Sequence, residues 1–297
     1  MLMHAARLRW QRQMRTGPQP LFPACRLKSL ARSDGNEMRT LTEWSTYVAL
    51  ALAGAVLAGP VVAASPEKAE DATAAASAPV NVIELFTSQG CASCPTADAL
   101  LETFARRPNV VALTLPVDYW DYLGWKDTLA SPKFSARQRS YATVRGDGRV
   151  YTPQVIVNGL KHALGSSETD IEKAIAITGP KIEPYRVGVR VRSGKGHIVI
   201  NLDAAREPAK AGEATIWLAL IRREVEVKIK RGENVGKIGT YHNVVREWMP
   251  VGMWNGTAAT IKIAHHAVKQ SDADGCAIIL QRGDAGAIIG AALLDKW

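Results

Sequence analysis

Cysteine is scarce in this chain, with four in 297 residues, at 25, 91, 94 and 276. That is too few for a disulfide scaffold, so an apolar core must hold the fold unaided. The hydrophobic fraction of 47% and charged fraction of 22% supply one, and the length suffices for two domains. Concentrated positive charge is missing as well. Eight of the 37 basic and three of the 28 acidic residues fall in residues 1–64, which leaves 29 against 25, a net +4, for the remainder. No stretch collects basic residues, which excludes a nucleic-acid-binding face. There is no flavin, nicotinamide or metal motif, and no second Cys-x-x-Cys. His162 and His242 stand alone in sequence, so a metal at Cys91 and Cys94 would lack ligands. No cofactor is expected.

A membrane span is lacking too. The apolar run from Tyr47 to Val62 is short and interrupted by Gly59-Pro60. It follows Arg39 and precedes Val62-Ala63-Ala64, a small-residue cleavage pattern. The expectation is a signal peptide over 38–64, with an uncleaved anchor as the alternative. Residues 1–37 are an extra N-terminal segment with Met38 the candidate start, and 65–79, rich in Ala, Ser and Pro, are a flexible linker. Export places the protein in the periplasm or outside the cell, where disulfides persist. Cleavage leaves no stable span and removes Cys25. Cys276, in the strand-like "GCAIIL", is expected to be a buried thiol.

What is present begins with "VNVIELF", a short buried strand, then "SQGCASCPTAD", then "TADALLETFARR" with apolar residues at helical spacing. Pro95 suits a first helical turn, and Asp98 lies near the positive end of that helix. "VVALTLPV" reads as a parallel strand, "KFSARQRSYATV" as helix, "TPQVIVNG" and "LKHALG" as a hairpin. "SSETDIEKAIAI" is a capped helix closing before Gly179-Pro180. The order is β-α-β-α-β-β-α. After Pro180 short β-branched segments separated by turns suggest a two-sheet sandwich of seven or eight strands, "ATIWLALIRRE" and "VEVKIKRG" among them. The charges of "EVEVKIKR" read as a solvated sheet face, and His265-His266 as strand residues pointing to opposite faces.

A Cys-x-x-Cys at a helix start in an exported protein points to thiolate chemistry, because the helix N-terminus stabilises the anion. Cys91, in the turn among small Gly90, Ala92 and Ser93, is expected to be the exposed attacking thiol. Cys94, at the helix start, is the buried resolving one, and Asp98 would raise the thiol pKa. A structural disulfide and a metal site are the competing readings. The loop from Asp118 to Asp127 carries Tyr119, Trp120, Tyr122 and Trp125 beside Asp118 and leaves the ligand-binding edge of an α/β sheet. These rings either cap the core or form a substrate or partner platform beside Cys91.

The element order, the Cys-x-x-Cys after the first strand and "YTPQVIVNG" resemble a thioredoxin-like domain. "ELFTSQGCASCPTAD", "VDYWDYLGWKD", "SARQRSYA" and "YTPQVIVNG" resemble more closely the exported DUF1223 family, and "YHNVVREWMPVGMW" extends the likeness into the second half. The resemblance implies an α/β thioredoxin-like domain over 80–180, followed by an all-β sandwich-like domain over 181–297. It implies a cis bond at Thr152–Pro153 facing the cysteines, with Thr152 offering backbone hydrogen bonds to an extended substrate. It also implies a buried acid serving the resolving thiol, for which Glu84 is the positional candidate. The expected activity is thiol–disulfide exchange with a thiol- or disulfide-bearing protein or small molecule, electrons passing to or from an unknown redox partner. The alternative is an envelope binding or structural protein with a static Cys91–Cys94 disulfide.

Overall fold

The computed structural model describes residues 81–207, 212–268 and 272–296, so the signal-peptide, linker and N-terminal expectations lie outside the described residues. Strand β1 (Asn81–Thr87) is buried at every position but its first. It pairs in parallel with β2 (Val110–Pro116) and antiparallel with β3 (Gln154–Val157), which continues into β4 (Lys161–Leu164). Both faces of β1, β2 and β3 are covered, which is why β1 and β2 read as largely apolar runs, while β4 is an exposed edge. Helices α1 (Pro95–Ala105) and α3 (Glu168–Ile182) lie on one face. There Leu101, Phe104, Ile171 and Ala174 meet Ile83, Leu85, Ala112 and Val155. Helix α2 (Pro132–Arg145) lies on the other, setting Phe134 and Tyr141 against Val82, Phe86 and Leu113. Ser131 and Ser167 cap α2 and α3 by accepting the N–H of Lys133 and Asp170. The result is the expected thioredoxin-like order.

One boundary differs from expectation. Helix α3 does not stop before Gly179-Pro180 but runs to Ile182. Ile182 is 1% exposed, and burying its side chain outweighs the backbone hydrogen bond that Pro180 removes.

The C-terminal region is β-rich: β5 (Val189–Gly194), β6 (His197–Leu202), β7 (Ala214–Lys228), β8 (Ile238–Trp254), β9 (Ala259–Ala264), a short α4 (His265–Val268), β10 (Gly275–Gln281) and β11 (Ile288–Leu294). The segments "ATIWLALIRRE" and "VEVKIKR" are not two strands but one, β7, because no turn residue separates them; two register shifts break its pairing with β8. Val225 and Val227 pack towards Leu129, Tyr241 and Val244, and the intervening charges are exposed. His265 and His266 open α4 rather than continuing a strand.

An eight-stranded sheet runs β11-β10-β7-β8-β2-β1-β3-β4, and β5-β6-β9 form a second sheet. The large sheet thus passes from the thioredoxin-like half into the β-rich half, through a parallel bridge at Thr114 and Val244. Thr114 Oγ1 donates to the His242 carbonyl at 2.6 Å and Asn243 Nδ2 to the Ala112 carbonyl at 2.9 Å, stitching that junction. Strand β10 shows how both halves use one sheet. Cys276, Ile278 and Leu280 face the small sheet, whereas Ala277 and Ile279 join the cluster of Val82, Phe86 and Tyr141.

Candidate functional site

Strand β1 delivers the chain to a tight turn. The Cys91 N–H donates to the Ser88 carbonyl at 3.1 Å and the Cys94 N–H to the Cys91 carbonyl at 3.2 Å. The Cys94 carbonyl then accepts from Ala97 and Asp98, so Cys94 is the residue from which α1 starts. Pro95 follows it at no cost, since a first-turn N–H has no helical partner. Cys91 and Cys94 form a disulfide with Cα atoms 5.4 Å apart. The sulfurs therefore sit at the positive end of a helix.

The expectation of an exposed Cys91 is corrected: Cys91 is 2% and Cys94 0% exposed. Its sequence neighbours are small, and Ala92 and Ser93 are exposed. The loop joining β7 to β8 fastens this turn. There Asn234 Nδ2 donates to the Cys91 carbonyl at 2.8 Å and the Gln89 carbonyl at 3.0 Å.

The aromatic loop closes the other side. Gln89 donates its N–H to Asp127 Oδ2 at 2.8 Å, and its side-chain oxygen accepts from Trp125 Nε1 at 2.8 Å. Trp120 bridges the two candidate edges. A Cβ at Gly90 would lie 3.2 Å from Trp120 Cβ, and Trp120 Nε1 donates to Thr152 Oγ1 at 2.8 Å. The Thr152–Pro153 bond is cis, and Pro153 is buried. Pro153 and Ala97 of α1 both close on Gly165, where a Cβ would lie 3.0 and 3.2 Å from theirs. Asp118 instead accepts from the Ser135 hydroxyl. The Tyr119 hydroxyl donates to Gln138 at 3.1 Å, and burial pushes its pKa up to about 12. Tyr122 is 77% exposed and stacks on Trp120. Trp120 and Trp125 thus meet the cysteine turn, Asp118 and Tyr119 meet α2, and Tyr122 faces solvent.

Glu84 is not brought to the cysteines. Strand alternation turns Ile83 and Leu85 towards α1 and Glu84 towards α2. There its carboxylate accepts from Arg137 Nε at 2.6 Å and from the Tyr141 hydroxyl. Arg137 also stacks on Trp248, 3.9 Å from the ring centre, and donates to Gln281 at 3.0 Å. This is a buried ion pair locked between the two halves.

The acid near the disulfide is Asp98, one helical turn beyond Cys94. It is 6% exposed and accepts from the Thr87 hydroxyl at 2.7 Å. Burial pushes its pKa up to about 8 against the lowering effect of that bond, with Asp127 adding to the rise. Asp127 and Tyr241 are also raised, mainly by burial. The i, i+4 spacing from Cys94 was visible in sequence; Asp98's burial by Tyr241 and the β8 strand was not. Beside Pro95 and Asp98 opens a cleft of about 460 Å³, walled also by Ala99, Lys237, Tyr241 and His242. Cys276 is buried and free, its thiol pushed up to about 12 by burial, which makes it unreactive. Among the described residues no group of three or more His, Cys, Asp or Glu is placed to hold a metal, and no helix is long and apolar enough to cross a membrane.

Comparison with known proteins matches this architecture. The profile of the family described as "Protein of unknown function (DUF1223)" matches residues 82–281. A crystal structure of a protein from Agrobacterium tumefaciens is 36% identical, with TM-score 0.65, covering 73% of this chain and 95% of that one. HBP35 of Porphyromonas gingivalis shares the fold at 11% identity and TM-score 0.51, over 73% of this chain and 75% of that one. No curated protein matches the chain.

Proposed function

The chain belongs to the DUF1223 family, and we propose that it is an exported thiol–disulfide oxidoreductase of the periplasm or cell exterior. The observation that carries this reading is the Cys91–Cys94 disulfide at the start of α1 in a thioredoxin-like fold, with Trp120 tying its turn to Thr152. In the reduced protein the Cys91 thiolate attacks a substrate disulfide, forming a mixed disulfide and releasing one thiol. Cys94 then attacks Cys91 sulfur and releases the second thiol. Two electrons leave the dithiol for the substrate, and two thiol protons leave with the products. Asp98, protonated up to about pH 8 when the pair is oxidised, is the group positioned to exchange a proton with Cys94. An external thiol or disulfide partner resets the pair.

The test is a titration in glutathione buffers, read by alkylation mass on the wild type, Cys91→Ser and Cys94→Ser. An exchanging couple equilibrates between about −120 and −230 mV, and Cys94→Ser traps a mixed disulfide through Cys91 where Cys91→Ser traps little. The burial of both sulfurs favours a second reading, a binding protein with a static disulfide. A pair still oxidised below about −300 mV, with nothing trapped, would establish that reading and end the first.

A further inference from the structure

Lys237 stands where the cleft meets the loop that fastens the cysteine turn. Its ammonium donates to Asn234 Oδ1 at 2.9 Å, and the Asn234 amide holds the Gln89 and Cys91 carbonyls. Asn234 is 1% exposed, whereas Lys237 is exposed and lines the cleft. The lysine is thus the solvent-facing handle of a buried latch. Glu102 and Glu224 stand on other walls of the same cleft, and the Glu224 side chain is 66% exposed. The cleft's volume, about 460 Å³, suits a ligand of amino-acid to short-peptide size. Both carboxylates lie against His242, at 3.6 and 3.9 Å, and Glu102 is also paired with Arg106, so Glu224 is the less encumbered acceptor. A zwitterion complements these walls, its carboxylate meeting Lys237 and its ammonium meeting Glu224. Pro95, adjacent to Cys94, forms the end nearest the disulfide.

Building on the oxidoreductase reading, we propose that this cleft binds a small zwitterionic thiol or disulfide, and that its carboxylate draws Lys237 off Asn234 and uncovers Cys91. A carboxylate carries a full negative charge where the Asn234 amide oxygen carries only a dipole, so the ligand attracts the ammonium more strongly and pulls Lys237 towards the cleft. Asn234 then loses the bond that orients it, and the Cys91 turn is released. The chemistry is that of the pair itself: protein dithiol plus a small disulfide gives protein disulfide plus two small thiols, and the reverse reaction reduces the protein. Folded proteins, whose disulfides cannot enter the cleft, do not release the latch.

The latch is tested without exchange by labelling reduced Cys94→Ser protein with iodoacetamide and following Cys91 by peptide mass. S-methylcysteine, which cannot exchange, should accelerate labelling in a saturable way, and S-methylcysteamine, which lacks the carboxylate, should not. Asn234→Ala should label fast with or without either compound. For exchange, cystine is compared with cystamine on otherwise unmodified protein. Lys237→Met should lower the cystine-to-cystamine rate ratio about fivefold, the size expected for one partly exposed ion pair, and Lys237→Arg should restore it. Labelling indifferent to S-methylcysteine, or a Lys237→Met ratio equal to that of wild type, overturns the proposal. If labelling responds but neither disulfide exchanges, the oxidoreductase reading fails while the cleft and its latch stand.

Discussion

Asp98 shows how one side chain couples the fold to the chemistry. Its carboxyl ionises near 3.8 when exposed and at about 8 in the folded protein, because burial disfavours the charge. Below the lower value both states hold the proton. Between the two, the folded state holds it and the unfolded state does not, so stability falls as pH rises; above about 8 the loss stops growing. Asp98→Asn keeps an acceptor for the Thr87 hydroxyl and removes this titration. Urea unfolding should therefore show the variant gaining on the wild type as pH is raised from about 4 to 8, by at most ~1.4 kcal/mol per pH unit. A stability difference flat in pH would mean that Asp98 is ionised in the fold. The variant should also resolve the mixed disulfide more slowly, by about a hundredfold if Asp98 is the proton acceptor for Cys94. That is read by quenching the reaction in acid and counting the trapped species.

The elements were legible where local pattern decides them. The unbroken buried run of β10, the serine cap on α3, and the Asn158-Gly159 turn between β3 and β4 follow from neighbouring residues. The reach of that turn does not. Asn158 and Gly159 both have positive φ, 53° and 69°, as a tight hairpin requires. Asn158 also accepts the Val82 N–H at 2.8 Å and donates to Thr178 at 2.9 Å, and its carbonyl accepts from Ile288 at 3.0 Å. A Cβ on Gly159 would lie 2.2 Å from the Gly286 carbonyl oxygen in the β10–β11 turn. Gly159→Ala should thus cost well over about 1 kcal/mol. Gly146→Ala, at φ 75° with open space around it, bears only the backbone term and should cost less. Equal midpoints for the two variants in denaturant titrations would show that the turns do not meet.

Across the whole molecule, the change of character at residue 180 is a change of composition that the large sheet crosses. The cluster around Val82, Phe86, Leu113 and Tyr141 is completed by Ala219, Ile221, Val245, Ala277 and Ile279 from the later half. The Glu84–Arg137 pair likewise depends on Trp248 and Gln281. A fragment of residues 81–186 would expose that apolar face and leave a buried charge pair half-covered, a cost of several kcal/mol. It should bind a hydrophobic dye and melt without a cooperative transition, whereas residues 81–297 should unfold in one step. A fragment that unfolds cooperatively would instead establish two independent domains divided near 180.

By itself the sequence determined the order of strands and helices through the thioredoxin-like half, and the placement of Cys91 and Cys94 at a helix start. These depend on spacings of a few residues, which the chain carries locally. Only the tertiary structure decided that Cys91 is buried, in a turn held by Asn234 from 143 residues away. It alone turned Glu84 into the partner of Arg137 and made Asp98 the protonated acid beside the pair. Burial of a group depends on everything packed around it, and here that packing comes from strands and a hairpin loop far along the chain.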